Sequence, residues 1–330
     1  MKILIVGGAG YVGSVLIPKL LERGYKVDVV DLFWFGNHLP PEVGVIEKDL
    51  FALETEDLSG YDQVVFLAGL SNDPMAEYSP SKNFIFNAAS PAYLAYIAKK
   101  AAVRRYVYAS SCSVYGYTEN ELYDETKPAV SSYPYGISKL QGEQAVLSFA
   151  DKTFSVISLR KGTVCGYSPR MRLDLIINTM FKCALQDGAI TVNNPAIWRP
   201  IISTQDTASA YIRAIEAHES VSGIFNVASG NYTVGEVGDL VKHEIERGLG
   251  TPVRININHR QDYRNYKVSI SKAENVLSFH PYDDVRSIVR GLLEHRKEFQ
   301  DWDNPAYYNI QMLKKLEPHV AGAQAGSTKG

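Results

Sequence analysis

The chain opens on "MKILIVGGAGYVGSVLIPKLLERG", and this stretch limits the fold more than any other. A β-branched run, "KILIV", stops at Gly7, and an apolar-periodic helix follows and closes at Gly24. Gly7, Gly10 and Gly13 stand three apart across the turn, while Gly8, Gly10 and Gly13 satisfy G-x-G-x-x-G. Glycines there permit a tight turn and let a pyrophosphate approach backbone N–H groups. The helix start adds a positive partial charge. Strand, glycine turn and helix in this order predict the first unit of a dinucleotide-binding βαβ fold. Gly7, Gly10, Tyr11, Val12 and Gly13 are the candidate contacts.

The next strand-like run, "KVDVVD", ends at Asp31. An acid about twenty residues past the glycine turn hydrogen-bonds the adenosine ribose and repels a 2′-phosphate. No arginine or lysine follows in "DLFWFGNHL", so the spacing predicts NAD rather than NADP. Further runs, "GVIEKD", "DQVVFLAG", "RRYVYASS" and "FSVISLRKGTV", alternate with helical stretches. That rhythm predicts an α/β fold with a Rossmann-like, doubly wound parallel sheet. After Gly166 the pattern loosens into a smaller C-terminal α/β lobe. Residues 1–166 are read as the NAD-binding domain, with "GIFNVAS" returning to its sheet near 222–230. Residues 167–318 are read as mainly a substrate lobe, and the small, polar segment 319–330 as a disordered tail.

Two lobes suit the size: 330 residues, 45% apolar and 21% charged, bury a large core. Formal net charge is 34 − 36 = −2, which gives no bulk attraction to nucleic acid or anionic membrane. No run reaches the ~20 apolar residues of a bilayer span, and glycines interrupt the N-terminal apolar run too early for a signal peptide. Cys112, Cys165 and Cys183 are too scattered for a disulfide framework or a zinc site. Reduced thiols in a cytoplasmic protein, and no metal, are the expectation.

The stretch "YPYGISKLQGEQ" puts Tyr135 and Lys139 four apart, on one face of a helix. A phenol ionises near ~10, so a base at neutral pH needs cationic help from the lysine and from a nicotinamide ring. Alone, the pair reads as surface decoration; behind the glycine turn it reads as catalytic.

"GGAGYVG", "VVDL", "FLAG", "SSCSVYG" and "YGISK", in that order and spacing, resemble the extended short-chain dehydrogenase/reductases, and within them the NAD-dependent nucleotide-sugar epimerase/dehydratase group. The resemblance runs from residue 1 to about 290. It implies a nucleotide-diphosphate sugar as substrate. Asp49 and Leu50 in "EKDLFA" match the pair beside the adenine, and Ala68, Gly69 and Leu70 match the turn passing the cofactor. Ser111 matches the catalytic serine or threonine, and Tyr135 and Lys139 the catalytic tyrosine and lysine. The 4,6-dehydratases of the group follow that threonine with an Asp-Glu pair; here Cys112 and Ser113 stand there, as sugar contacts. One acid–base pair suffices to invert C4 through a transient 4-keto-sugar, so the reading is an NAD-dependent epimerase. Alternatives are a 4-keto reductase or an atypical 4,6-dehydratase, and, outside catalysis, an NAD-sensing scaffold.

Arg199 in "WRPIIST" and Arg264 in "RQDYRNYKVSISKA", with Arg260 as substitute, match the arginines that grip the diphosphate. Arg170 and Arg172 in "SPRMRLD" are placed in the same cleft. Lys161 departs from the group's aromatic or proline and is read as filling space or touching the sugar. Asn72–Asp73 before Pro74 is read either as facing the sugar or as an Asx turn, with the turn preferred, and Asn87 as a cap or a brace. Members of the group pair through two helices per subunit, here near 84–102 and 135–149, which implies a homodimer.

Overall fold

The computed structural model describes residues 1–259 and 264–316. Arg260 and the segment 319–330 lie outside the described residues.

Seven strands form one parallel sheet: β1 (Lys2–Val6), β2 (Lys26–Asp31), β3 (Gly44–Glu47), β4 (Gln63–Phe66), β5 (Arg105–Ser111), β6 (Ser155–Lys161) and β7 (Gly223–Val227). Their order is β7-β6-β5-β4-β1-β2-β3. Val6 at the end of β1 pairs with Val30 on one side and Phe66 on the other. The chain therefore winds outward in both directions from β1 and β4, and a crevice opens beyond their carboxyl ends. Eight helices matter to the site: α1 (Gly13–Glu22), α2 (Asp73–Tyr78), α3 (Ser90–Lys100), α4 (Pro134–Leu147), α5 (Ile176–Asp187), α6 (Thr204–Glu216), α7 (Val234–Leu249) and α8 (Val285–Glu294).

The central strands read as continuous apolar runs because both faces are covered. Ile3 and Ile5 face one layer with Leu16 and Ile17 of α1 and Tyr211 and Ile212 of α6. Leu4 and Val6, pointing the other way, face Leu94, Ala95 and Ala98 of α3.

The second lobe has its own core. Helices α5, α7 and α8 bury Phe181, Val241 and Leu292 against the parallel pair Ala189–Asn193 and Arg254–Asn258 and a three-stranded sheet. In α8 the apolar residues Val285, Ile288, Val289 and Leu292 follow the i, i+3, i+4, i+7 pattern behind an Asp284–Ser287 capping box. A strand that the sequence did not suggest, Tyr117–Tyr123, pairs parallel with Asn265–Val268 and carries the second lobe back over the catalytic loop.

Candidate active site

The carboxyl ends of the sheet and the second lobe enclose a cavity of about 710 Å³. Its floor is the glycine turn. Gly7 adopts φ +82°, and a Cβ there would lie 2.4 Å from the Ala68 nitrogen, so only glycine lets β1 run this close to the turn after β4. A Cβ on Gly13 would fall 2.1 Å from the Gly8 carbonyl oxygen, which fixes the packing of α1 on the turn. At Gly10 a Cβ would meet only the Gly7 oxygen, at 3.3 Å, and would otherwise project into open space. No side chain caps α1 and no acid occupies its first turn. This open, positive helix end is a cradle for a pyrophosphate. Gly7, Gly10, Tyr11, Val12 and Gly13 all line the cavity.

Asp31 stands at the end of β2 and lines the same cavity. Its Oδ2 accepts from the Ala9 N–H at 2.9 Å and its Oδ1 from the Phe33 N–H at 3.0 Å. Burial lifts its carboxyl above the ordinary value, against the pull of those N–H groups. Asp49 caps the short turn Leu50–Ala52 by accepting from the Phe51 N–H at 2.8 Å, and Asp49 and Leu50 both face the cavity. Ala68, Gly69 and Leu70 border it as well. Asn87 braces this turn from behind: its Nδ2 donates to the Leu70 carbonyl at 2.8 Å, and a Cβ on Gly69 would strike its Oδ1 at 2.3 Å.

Ser111 ends β5, in register with Lys161 on β6. Its Oγ accepts from the Ser113 N–H at 3.2 Å and the Ser113 hydroxyl at 3.0 Å. Tyr135 and Lys139 lie one turn apart on α4, and all four side chains border the cavity. Lys139 Nζ donates to the Ala109 carbonyl at 3.1 Å and stands 6.0 Å from the Tyr135 ring centroid. Burial pulls its ammonium down to about 7. Burial first, and the charge of Asp73 second, push the Tyr135 phenol well up, while a hydrogen bond with Ser111 and the charge of Arg172 draw it down. In the protein alone the phenol therefore keeps its proton at neutral pH. Lys139 by itself does not make the phenolate that the sequence pattern suggested.

One expected sugar contact is placed outside the cavity, and another borders it at the end near Asp31. Cys112 is 1% exposed, its thiol donates to the Arg160 carbonyl at 3.1 Å, and it does not line the cavity. The turn after β5 points it into a small core with Val114, Tyr115 and Tyr266, where burial drives its thiol far up. Arg170 borders the cavity near Asp31, with Arg172 close enough to act on its charge. Its guanidinium lies 3.6 Å over the Phe35 ring, donates to Asn309 Oδ1 at 2.5 Å, and is close enough to Asp31 to lower that carboxyl. Arg172 grips Asp174 through two bonds of 2.8 and 3.0 Å and donates to Ser71 Oγ at 2.9 Å. Although burial opposes it, Arg172 holds the Asp174 carboxyl below its ordinary value.

Arg199 and Arg264 border the cavity from the second lobe. Arg199 donates to the Trp198 and Arg264 carbonyls, which ties the two guanidinium-bearing segments together. Arg264 pairs with Asp73 and lies 5.3 Å over the Tyr133 ring. Lys161 Nζ donates to the Ser110 carbonyl at 3.0 Å and to the Tyr211 hydroxyl at 3.1 Å, which points it under the sheet edge rather than across the cavity. Burial, then Lys139, pull it well below the ordinary lysine value.

For Asn72–Asp73 the sequence favoured a turn over a place facing the sugar, and the structure has both, since the two residues also border the cavity. Asn72 does cap α2, accepting from the Met75 N–H at 3.1 Å, but its backbone sits at φ 84° and ψ 159°. Non-glycine residues adopt that region at a cost of about 1–3 kcal/mol. The Asp73 side chain is thereby turned into the cavity, and only the unusual order Ser-Asn-Asp-Pro hinted at it. Tyr266 and Asn309 also border the cavity, with no local signal to mark them.

A family model described as the NAD dependent epimerase/dehydratase family matches residues 3–228. The chain belongs to that family. A UDP-glucose 4-epimerase of Corynebacterium glutamicum is 29% identical over 311 residues, covering 88% of this chain and 94% of that protein. UDP-glucuronic acid decarboxylase 3 of Arabidopsis thaliana is 27% identical over 301 residues, with 87% and 86% covered. The solved structure of MoeE5 in complex with UDP-glucuronic acid and NAD superposes with a TM-score of 0.79 at 25% identity, covering 90% of this chain and 99% of that one. The cofactor of the family is NAD, and the glycine cradle, the uncapped end of α1 and Asp31 are the residues here that fit it.

Proposed function

We propose that this chain is an NAD-dependent nucleotide-sugar 4-epimerase, working as a homodimer in the cytoplasm. The observation that carries the reading is the meeting of Ser111, Tyr135 and Lys139 in one cavity with the glycine cradle, while Ser113 stands where a dehydratase or a decarboxylase would carry a catalytic acid. NAD, when bound, supplies the hydride acceptor and a positive charge near the phenol.

The chain's own residues do the rest. Lys139, already low, holds cofactor ribose hydroxyls and joins that charge in drawing the Tyr135 phenol down from its buried value. Tyr135 takes the proton of the C4 hydroxyl through or beside Ser111, whose Oγ is held by Ser113. The resulting 4-keto-sugar turns over, so that hydride would return to the other face of C4 while Tyr135 gives its proton back to the C4 oxygen. Arg199 and Arg264 hold the diphosphate while the sugar moves. One acid–base pair serves both halves of the reaction. Two copies pair through α3, α4 and the segment before α3, where Ile85 and Tyr96 are each 44% exposed.

Incubation with a panel of nucleotide sugars in deuterated water, read by NMR, tests the reading. Inversion at C4 without deuterium at C3 or C5 is expected, and Tyr135→Phe is expected to lose about 10²–10⁴-fold in kcat. Solvent deuterium at C3 or C5, or loss of the C6 hydroxyl, refutes it.

A further inference from the structure

Asp73 carries more information than its place at the start of α2 requires. The Asn72 backbone occupies a region nearly reserved for glycine, and this turns the carboxylate inward. Its Oδ2 pairs with Arg264. Its Oδ1 is buried and has no hydrogen-bond partner among the described residues. Asp73, Tyr135 and Tyr266 all border the same cavity.

A carboxylate is an acceptor with no proton of its own to give. A buried acceptor left unpaired beside a reacting centre is costly, and a hydroxyl or an amine removes that cost. Another carboxylate placed there sets two acceptors against each other. Arg264 engages Oδ2 alone, so Oδ1 is left to take a donor from the substrate.

We propose that Asp73 is a specificity-determining contact for the sugar: its Oδ1 accepts a hydrogen bond from a hydroxyl or amino group of the hexose, so the site takes neutral or amino-hexose nucleotides and turns away uronates. This rests on the epimerase reading of the cavity and narrows its substrate class. The relatives named above include proteins of both sugar types, so membership in the family does not decide the matter.

The test is calorimetric titration of the NAD-loaded protein with UDP-glucose and UDP-glucuronate, on wild type, Asp73→Asn and Asp73→Ser. Each variant also removes the pair with Arg264 beside the same site, so Arg264→Gln in the Asp73→Asn background is titrated in parallel to separate attraction of the uronate by that guanidinium from loss of the Asp73 carboxylate. Wild type is expected to prefer UDP-glucose by at least about tenfold, and both variants are expected to bring the ratio to within about threefold of one. A ratio unchanged in both variants, or a wild-type preference for the uronate, overturns the role of Asp73. Thermal unfolding of each variant confirms that the fold is kept. Turnover of UDP-glucose, followed in parallel, reports on the epimerase reading separately: binding selectivity without C4 inversion sinks that reading and leaves the Asp73 contact standing.

Discussion

The Tyr11 hydroxyl donates to the Gly166 carbonyl at 2.6 Å, and through that bond the glycine turn and the second lobe share one wall. Asn178 Nδ2 donates to the same hydroxyl at 3.1 Å, and the Ser168 hydroxyl donates to the Tyr11 carbonyl at 2.8 Å. Tyr11→Phe removes the hydroxyl and both of its bonds, while Asn178 Nδ2 still donates to the Gly166 carbonyl at 3.1 Å. A loss of about 1 kcal/mol is expected, measured by urea unfolding of the NAD-free protein. A change within error would mean that the hydroxyl adds nothing to the joint beyond the Ser168 and Asn178 bonds.

Behind the catalytic loop, Arg160 and Glu143 form an ion pair at 2.5 Å, 4% and 1% exposed. Ser158 Oγ donates to Glu143 at 2.8 Å and Arg160 donates to the Tyr115 hydroxyl at 2.8 Å. Glu143→Ala leaves a guanidinium buried without its counter-charge and is expected to cost about 3–5 kcal/mol. Denaturant unfolding reads the loss directly. A neutral result would show that the pair is replaceable by packing alone.

Lys139 gives stability a pH dependence whose sign is fixed. In the unfolded chain its ammonium survives to about 10.5, whereas in the folded, cofactor-free protein burial pulls it down to about 7. Between those values the unfolded state binds more protons, so this group makes stability rise with pH. Below about 7 both states are protonated and the contribution is flat, at its least favourable. Lys139→Met is therefore expected to raise stability near pH 7 and to flatten the slope between pH 7 and 10. Melting temperatures of both proteins across that range provide the comparison. Parallel curves would contradict the buried, low-lying ammonium.

We propose that Asp31 sets the choice of dinucleotide. Its carboxylate stands over the cavity while both oxygens brace the turns at Ala9 and Phe33. Asp31→Asn is expected to weaken NAD binding by about tenfold and to reduce the preference for NAD over NADP. Fluorescence titration with both cofactors measures the two effects. An unchanged preference would place the discrimination elsewhere, with Arg170 the next residue to examine.

Much of this architecture was legible because its signals are local. The glycine turn, the apolar strands β1, β2, β4 and β5, and the Tyr135–Lys139 spacing each depend on a few consecutive residues. The strand Tyr117–Tyr123 was not legible: "YTENELY" is polar, and its place comes from pairing with Asn265–Val268, nearly 150 residues away. Cys112 shows a second limit. A turn decides which of two neighbouring side chains faces a cavity, and motif position does not, so Ser111 and Ser113 border it while Cys112 points into a core. Asp73 shows a third: its direction follows from one strained backbone angle at Asn72, which no residue type announces.

The most direct measurement of the proposed chemistry uses a nucleotide sugar carrying deuterium at C4, given to the NAD-loaded protein in ordinary water. The expected product is the C4 epimer with the label still at C4, since the hydrogen removed from that carbon returns to it within one turnover. Epimer that has lost its label to solvent, or label appearing in free reduced cofactor, would contradict it.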